Sequence, residues 1–156
     1  MAGTVPLLVR LIRFLCASVV FLLSGCRVHT LEDGVYELVP SEILRDDCGL
    51  SNEDVLGPAT LRTEGNLVTL SLARPGLRLV GTYRFSLEEM TMDGTLSNTP
   101  FVLRGRECLL DSVSYHVDTR TSSPTTFSGA MSISYDARSP GECVCQYWFK
   151  FDARRR

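Results

Sequence analysis

Leu77-Arg78-Leu79-Val80-Gly81-Thr82-Tyr83-Arg84-Phe85-Ser86-Leu87 alternates for eleven residues. Leu77, Leu79, Gly81, Tyr83, Phe85 and Leu87 fall on one face. Arg78, Thr82, Arg84 and Ser86 fall on the other, with Val80 as the exception. A period of two with one apolar face is the pattern of a half-buried antiparallel strand. Arg74-Pro75-Gly76 precedes it as a turn. Before that turn, 59–63 and 67–73 read as a hairpin around Glu64-Gly65-Asn66.

Further outward the same period recurs. Gly34 to Val39 alternates with Tyr36 and Leu38 on one face, and Pro40-Ser41 ends it. Ser41 is placed to cap a short helix over 42–47, with Glu42 in its first turn and Cys48-Gly49 closing it. Residues 50–58 read as a loop. On the C-terminal side, 90–97 points Met90, Met92 and Leu96 inward, and Asn98-Thr99-Pro100 reads as a loop before a short strand over 101–103. The stretch 108–118 has Val113, Tyr115 and Val117 on its apolar face, followed by a polar loop over 119–124. Phe127, Gly129, Met131, Ile133 and Tyr135 alternate with small polar residues. After a turn at Arg138-Ser139-Pro140-Gly141, Cys143, Cys145, Tyr147, Phe149 and Phe151 share the last face.

The expectation is an all-β chain: an antiparallel up-and-down meander of about eight strands, closed as a barrel or folded as a small sandwich, with one short helix after the first strand. The plan resembles a small lipocalin-type barrel in architecture, with Gly34-x-Tyr36 standing where that family carries Gly-x-Trp. Eight closed strands leave an interior filled by side chains or holding one small ligand. The resemblance therefore implies an apolar ligand such as a fatty acid. Tyr83, Phe85, Met92, Phe127, Met131, Tyr147 and Phe149 are the candidate lining, with Met90 and Phe151 beside them. The same aromatic and methionine stripe serves equally as plain core.

The N-terminus has another character. Arg10 and Arg13 form a basic region, Phe14 to Leu23 is apolar, and Ser24 and Gly25 are small. That order is a secretory signal peptide. The uncharged run from Phe14 to Cys26 is 13 residues, short of the roughly 20 needed to span a bilayer. Leu23-Ser24-Gly25-Cys26 resembles the bacterial lipobox at every position. The resemblance implies cleavage before Cys26, a diacylglyceryl thioether on its thiol, and acylation of the new amine. Several acyl chains on one residue hold a protein firmly where one does not. In two-membrane bacteria an aspartate at the next position retains lipoproteins in the inner membrane. Arg27 stands there instead, which implies the outer membrane. Residues 1–25 are then the signal, 26–32 a tether carrying His29, 33–153 one β domain, and 154–156 a basic tail.

Beyond the signal, 131 residues remain, enough for a core without metal. Their charge is 14 basic against 18 acidic, a net −4, which argues against nucleic acid and against an electrostatic grip on anionic lipid. Four cysteines remain: Cys48, Cys108, Cys143 and Cys145. An even number in an exported chain indicates two disulfides, and the lone close pair, Cys143-x-Cys145, lacks the repeated spacing of a zinc site. Counting strand directions gathers all four at one end of the meander. Cys48 then pairs with Cys143 or Cys145, and Cys108 with the other. Cys48–Cys143 with Cys108–Cys145 is marginally favoured over the swap.

No catalytic or metal constellation emerges, and no cofactor is implied. Ser114, His116 and Asp118 share an outer face, but neighbours at i and i+2 stand side by side rather than in relay. Arg45-Asp46-Asp47 and Asn52-Glu53-Asp54 lack the spacing of a calcium loop. Glu88-Glu89 and Asp111 have nothing to bring them together. The expected role is non-catalytic: an exported, lipid-anchored envelope protein with a structural or interaction role, partner unknown. The alternative is a small barrel for an apolar ligand.

Overall fold

The computed structural model describes residues 30–50, 56–103, 105–137 and 143–156. Eight strands follow one another: β1 (Gly34–Asp46), β2 (Pro58–Glu64), β3 (Leu67–Leu72), β4 (Arg78–Arg84), β5 (Glu89–Leu103), β6 (Arg106–Ser123), β7 (Thr126–Ala137) and β8 (Cys145–Arg155). Each pairs antiparallel with the next, and β8 pairs antiparallel with β1, so the meander closes into a barrel. A closed sheet leaves no long unpaired edge between its first and last strands.

The stagger can be followed along one inner layer. Gly34 pairs with Leu61, Leu61 with Leu70, and Leu70 with Leu79. One step beyond the Val80–Asp93 pair lies Gly94. It pairs with Tyr115, then come Ile133, Tyr147 and finally Asp46. The path returns to β1 twelve residues beyond its start, from Gly34 to Asp46. That much shear requires strongly tilted strands. Gly94 belongs to this layer because a Cβ there would lie 2.6 Å from the Leu79 side chain.

Four expectations are corrected. No helix occupies 42–47. β1 continues to Asp46, with Glu42, Ile43, Arg45 and Asp46 laddered to β8 through two bulges. A six-residue helix gains too few hydrogen bonds to repay its nucleation, whereas the β8 ladder is already in place. Asn98-Thr99-Pro100 is not a loop: Thr99 and Pro100 pair with Leu110 and Leu109, and Asn98 takes a left-handed φ of 50° to keep the strand running. The polar stretch 119–123 belongs to β6, with Thr119 and Thr121 facing the core. Finally, β4 stops at Arg84. Leu87 leaves the inner face for the turn before β5, where it is 48% exposed.

The two ends of the barrel differ. At the N-terminal end lie Gly34, the 64–67 hairpin, the turns at 85–88 and 124–125, and the last residues of β8. At the opposite end lie both disulfides, Cys48–Cys145 and Cys108–Cys143, with Cα separations of 5.3 and 5.9 Å. The four cysteines gather at one end as direction counting requires, but the marginally favoured pairing is the wrong one. The β1–β8 ladder runs through Asp46–Tyr147, and Asp47 N–H donates to the Gln146 carbonyl. Two positions on, Cys48 meets Cys145 across the strands. Cys143 lies beyond the start of β8, where it reaches Cys108 on β6.

Candidate functional site

Two regions gather chemistry-bearing side chains: the barrel interior and the outer face around His116. Inside, Tyr83, Met92, Phe127, Met131, Tyr147 and Phe149 are all buried, and Phe85 packs partly buried at the N-terminal mouth. All seven candidate lining residues therefore belong to one apolar interior. The rings touch in a chain: Tyr147 with Phe149 (5.0 Å between centroids), Phe149 with Phe151 (6.4 Å), Phe151 with Phe127 (6.2 Å) and Phe127 with Tyr36 (5.2 Å). Such tilted and edge-on pairs are the favoured aromatic geometries.

This interior is packed. Leu61, Leu70, Leu79, Met92, Val113, Val117, Met131, Ile133 and Phe149 are each 0% exposed, and Tyr83, Phe127 and Tyr147 are no more than 3% exposed. A side chain bordering a void large enough for water would show some. The tilt that twelve residues of shear imposes widens the barrel, and buried aromatic rings stand in its interior. Polar groups near the mouth are few. The Tyr36 hydroxyl donates to the Glu32 carbonyl at 2.6 Å, and burial pushes its pKa up to about 12, against an opposing effect of Arg155. The Thr121 hydroxyl is buried with no hydrogen-bond partner.

On the outer face, His116 of β6 stands between two carboxylates. Its Nδ1 lies 2.6 Å from Asp93 Oδ1 on β5, its ladder partner, and its Nε2 lies 3.0 Å from Asp118 Oδ2. Asp118 also accepts from Thr91 at 2.9 Å. A groove of about 470 Å³ opens beside this cluster, lined by Glu89, Met90, Thr91, Asp118, Thr119, Arg120, Ser128 and Gly129. Across it Arg120 donates to Glu89 at 3.2 Å. Each charged group in the groove has a partner: Glu89 and Arg120 each other, and Asp118 both Thr91 and His116. Both imidazole nitrogens point at carboxylates, so when protonated His116 bridges Asp93 and Asp118. Among the described residues no group of three or more His, Cys, Asp or Glu is placed to hold a metal ion.

The sequence singled out His116 and Asp118 but missed Asp93. Its outward position was legible from Met90 and Met92 pointing inward; its distance from His116 depends on the β5–β6 register. Glu89 and Asp111 sit toward opposite ends of the barrel, which removes them as a carboxylate pair. His29 and the stretch 52–54 lie outside the described residues.

Hydrogen bonding to Asp93 raises the pKa of His116 above the ordinary histidine value; partial burial opposes this and Asp118 adds to it. A folded-state pKa above the unfolded one stabilises the fold fully below about pH 6.5, and that contribution is lost as pH rises through the folded value. His116→Gln is therefore expected to flatten the pH dependence of stability above about pH 6. Urea midpoints measured across that range check this; an unchanged slope would mean that the carboxylates do not engage the ring.

Comparison with protein-family models, curated proteins and solved structures finds no match to this chain.

Proposed function

We propose that this protein is an exported lipoprotein, held at the bacterial cell envelope through acyl chains on Cys26, and that it acts by presenting the outside of a filled barrel to a protein partner. The anchor reading rests on Leu23-Ser24-Gly25-Cys26 behind a basic and then apolar leader. Arg27 favours the outer membrane. Two disulfides suit an oxidising compartment.

The packed interior supports an interaction protein over a ligand carrier. A site for a fatty acid needs a void of a few hundred Å³, and the candidate lining residues instead fill the barrel with one another. The outer surface supports the same reading. Val102, Leu109 and Val144 are 54, 74 and 47% exposed at the disulfide end, and Ile43 and Leu44 join them from the end of β1. Val35, Leu67 and Leu87 are exposed at the other end, so the disulfide end carries the larger group, and grouped apolar side chains mark an interaction surface more often than chance exposure. Cys108–Cys143 fixes the neighbours of Leu109 and Val144 in place, and a rigid surface loses little entropy on binding.

Mass spectrometry of protein extracted from membranes tests both parts. Under denaturing conditions the chain should begin at Cys26 and carry a covalent diacylglyceryl adduct. Under native conditions the folded barrel should retain no further lipid. An unmodified Cys26 would remove the anchor, and a stoichiometric retained fatty acid would replace the interaction reading with the carrier.

A further inference from the structure

We propose that the barrel stands on the bilayer with its N-terminal end, Leu87 touching the lipid and the disulfide end furthest from it. The inference rests on the anchor at Cys26 and adds an orientation and a contact to it.

The chain is clamped to the barrel almost as soon as it leaves the anchor. Leu31 is 5% exposed and belongs to the core. Glu32 N–H donates to the Pro124 carbonyl of the β6–β7 turn at 2.8 Å, the Tyr36 hydroxyl donates to the Glu32 carbonyl, and Arg155 pairs with the Glu32 carboxylate. The expected tether of 26–32 is thereby shortened to the five steps between Cys26 and Leu31. At about 3.6 Å per residue it reaches at most about 18 Å. β1 runs thirteen residues away from this point. At about 3.3 Å per residue and a tilt of about 40°, the barrel is about 30 Å tall. The tether is too short for the barrel to stand on its disulfide end, which would lift the attachment point about 30 Å from the bilayer, so the N-terminal end stays beside it.

That end offers the lipid an apolar tip with little net charge around it. Leu87 projects from the β4–β5 turn, 48% exposed, displaced from the inner face that its sequence position assigned it. Three arginines nearby have acidic partners, Arg155 with Glu32, Arg156 with Glu37 and Arg120 with Glu89; Arg84 and Arg154 are exposed at the same end, where Asp33, Glu64 and Glu88 offset their charge. β8 also runs on through Arg155, so the expected basic tail is built into the sheet. With charges of both signs at this end and a net −4 beyond residue 25, docking depends on the anchor and Leu87, not on anionic headgroups.

The test imposes the attachment chemically, so it reads orientation independently of whether cells lipidate Cys26. The chain from Cys26 onward contains all eight strands, and its other four cysteines are bridged. Its Cys26 thiol is coupled to a maleimide-headgroup lipid in phosphatidylcholine vesicles. The sole tryptophan, Trp148, is exposed on the outer face and is replaced in a Trp148→Phe background. Reporters are then introduced singly as Leu87→Trp at the N-terminal end and Leu109→Trp at the disulfide end. With brominated phosphatidylcholine, the Leu87→Trp protein should lose much of its emission and shift to the blue, while the Leu109→Trp protein stays unchanged. Added anionic lipid should alter neither. Equal quenching of the two, quenching only of Leu109→Trp, or quenching of neither would overturn the orientation.

Discussion

Removing the Cys48–Cys145 bridge with the double substitution Cys48→Ala and Cys145→Ala is expected to cost about 4 kcal/mol of stability. The bond joins residues 97 apart in sequence, and releasing so long a loop in the unfolded chain restores much of its conformational entropy. Small domains are stable by only about 5–15 kcal/mol, so the loss is a large share of the total. The bridge also sits at a sensitive place. It lies just past the last rungs of the β1–β8 ladder, the seam at which the barrel closes. It also fixes the start of the connection that leads from Cys48 to β2. The Cys108–Cys143 bridge spans only 35 residues, so its removal should cost less, by about 1 kcal/mol on the loop-entropy argument. Equilibrium urea unfolding followed by Trp148 fluorescence gives both values. Equal costs, or the reverse order, would mean that native-state effects outweigh loop closure.

The alternation along 77–87, 127–135 and 143–151 is enough to read off strands, most of their inward faces and an eight-stranded meander, because burial on one face of a sheet imposes a period of two on the sequence itself. Direction counting from that meander then placed four cysteines at one end. The misreadings share a physical cause: they fall where a neighbouring strand, not the local sequence, decides the conformation. Ser41-Glu42 has the local chemistry of a helix start, yet Ser41 falls at a bulge and β8 supplies ladder partners to Glu42, Ile43, Arg45 and Asp46. Asn98-Thr99-Pro100 looks like a break, yet β6 runs on beside it. The hydroxyl-rich 119–123 reads as loop by polarity, although threonine is a good strand former and its methyl suits the inner face. The disulfide pairing and the Asp93–His116 contact depend on register to the residue. One sequence without its pairing partners does not carry that information.

The largest effect of a single methyl group is expected at Gly81 and Gly129. Both occupy inward positions in strong alternating runs, Leu79-Gly81-Tyr83 and Phe127-Gly129-Met131, where a larger apolar residue would otherwise suit the core. Neither has the positive φ that calls for glycine on conformational grounds. The constraint is space. A Cβ on Gly81 would lie 1.8 Å from the Thr91 carbonyl oxygen and 2.6 Å from Met92 Cα. On Gly129 it would lie 2.1 Å from the Asp118 carbonyl oxygen and 2.7 Å from Thr119 Cα. The obstacles are backbone atoms of adjacent strands, which cannot rotate away. Met92 and Thr119 are the ladder partners of the two glycines, so the sheet folds sharply inward on both sides of the long β5–β6 pair. Glycine at such a bend is what lets a closed sheet turn its corners. Alanine at either position must push two strands apart and open ladder hydrogen bonds, at a cost of about 3 kcal/mol or more. Gly57→Ala is the control, since nothing lies within 4 Å of a Cβ there and no positive φ applies; it should be neutral or stabilising by a few tenths of a kcal/mol. Urea midpoints of the three variants decide the matter. If Gly81→Ala and Gly129→Ala unfold with Gly57→Ala, the strands can spread at these corners, and the tight bending that brings the aromatic rings together to fill the interior would not depend on the glycines.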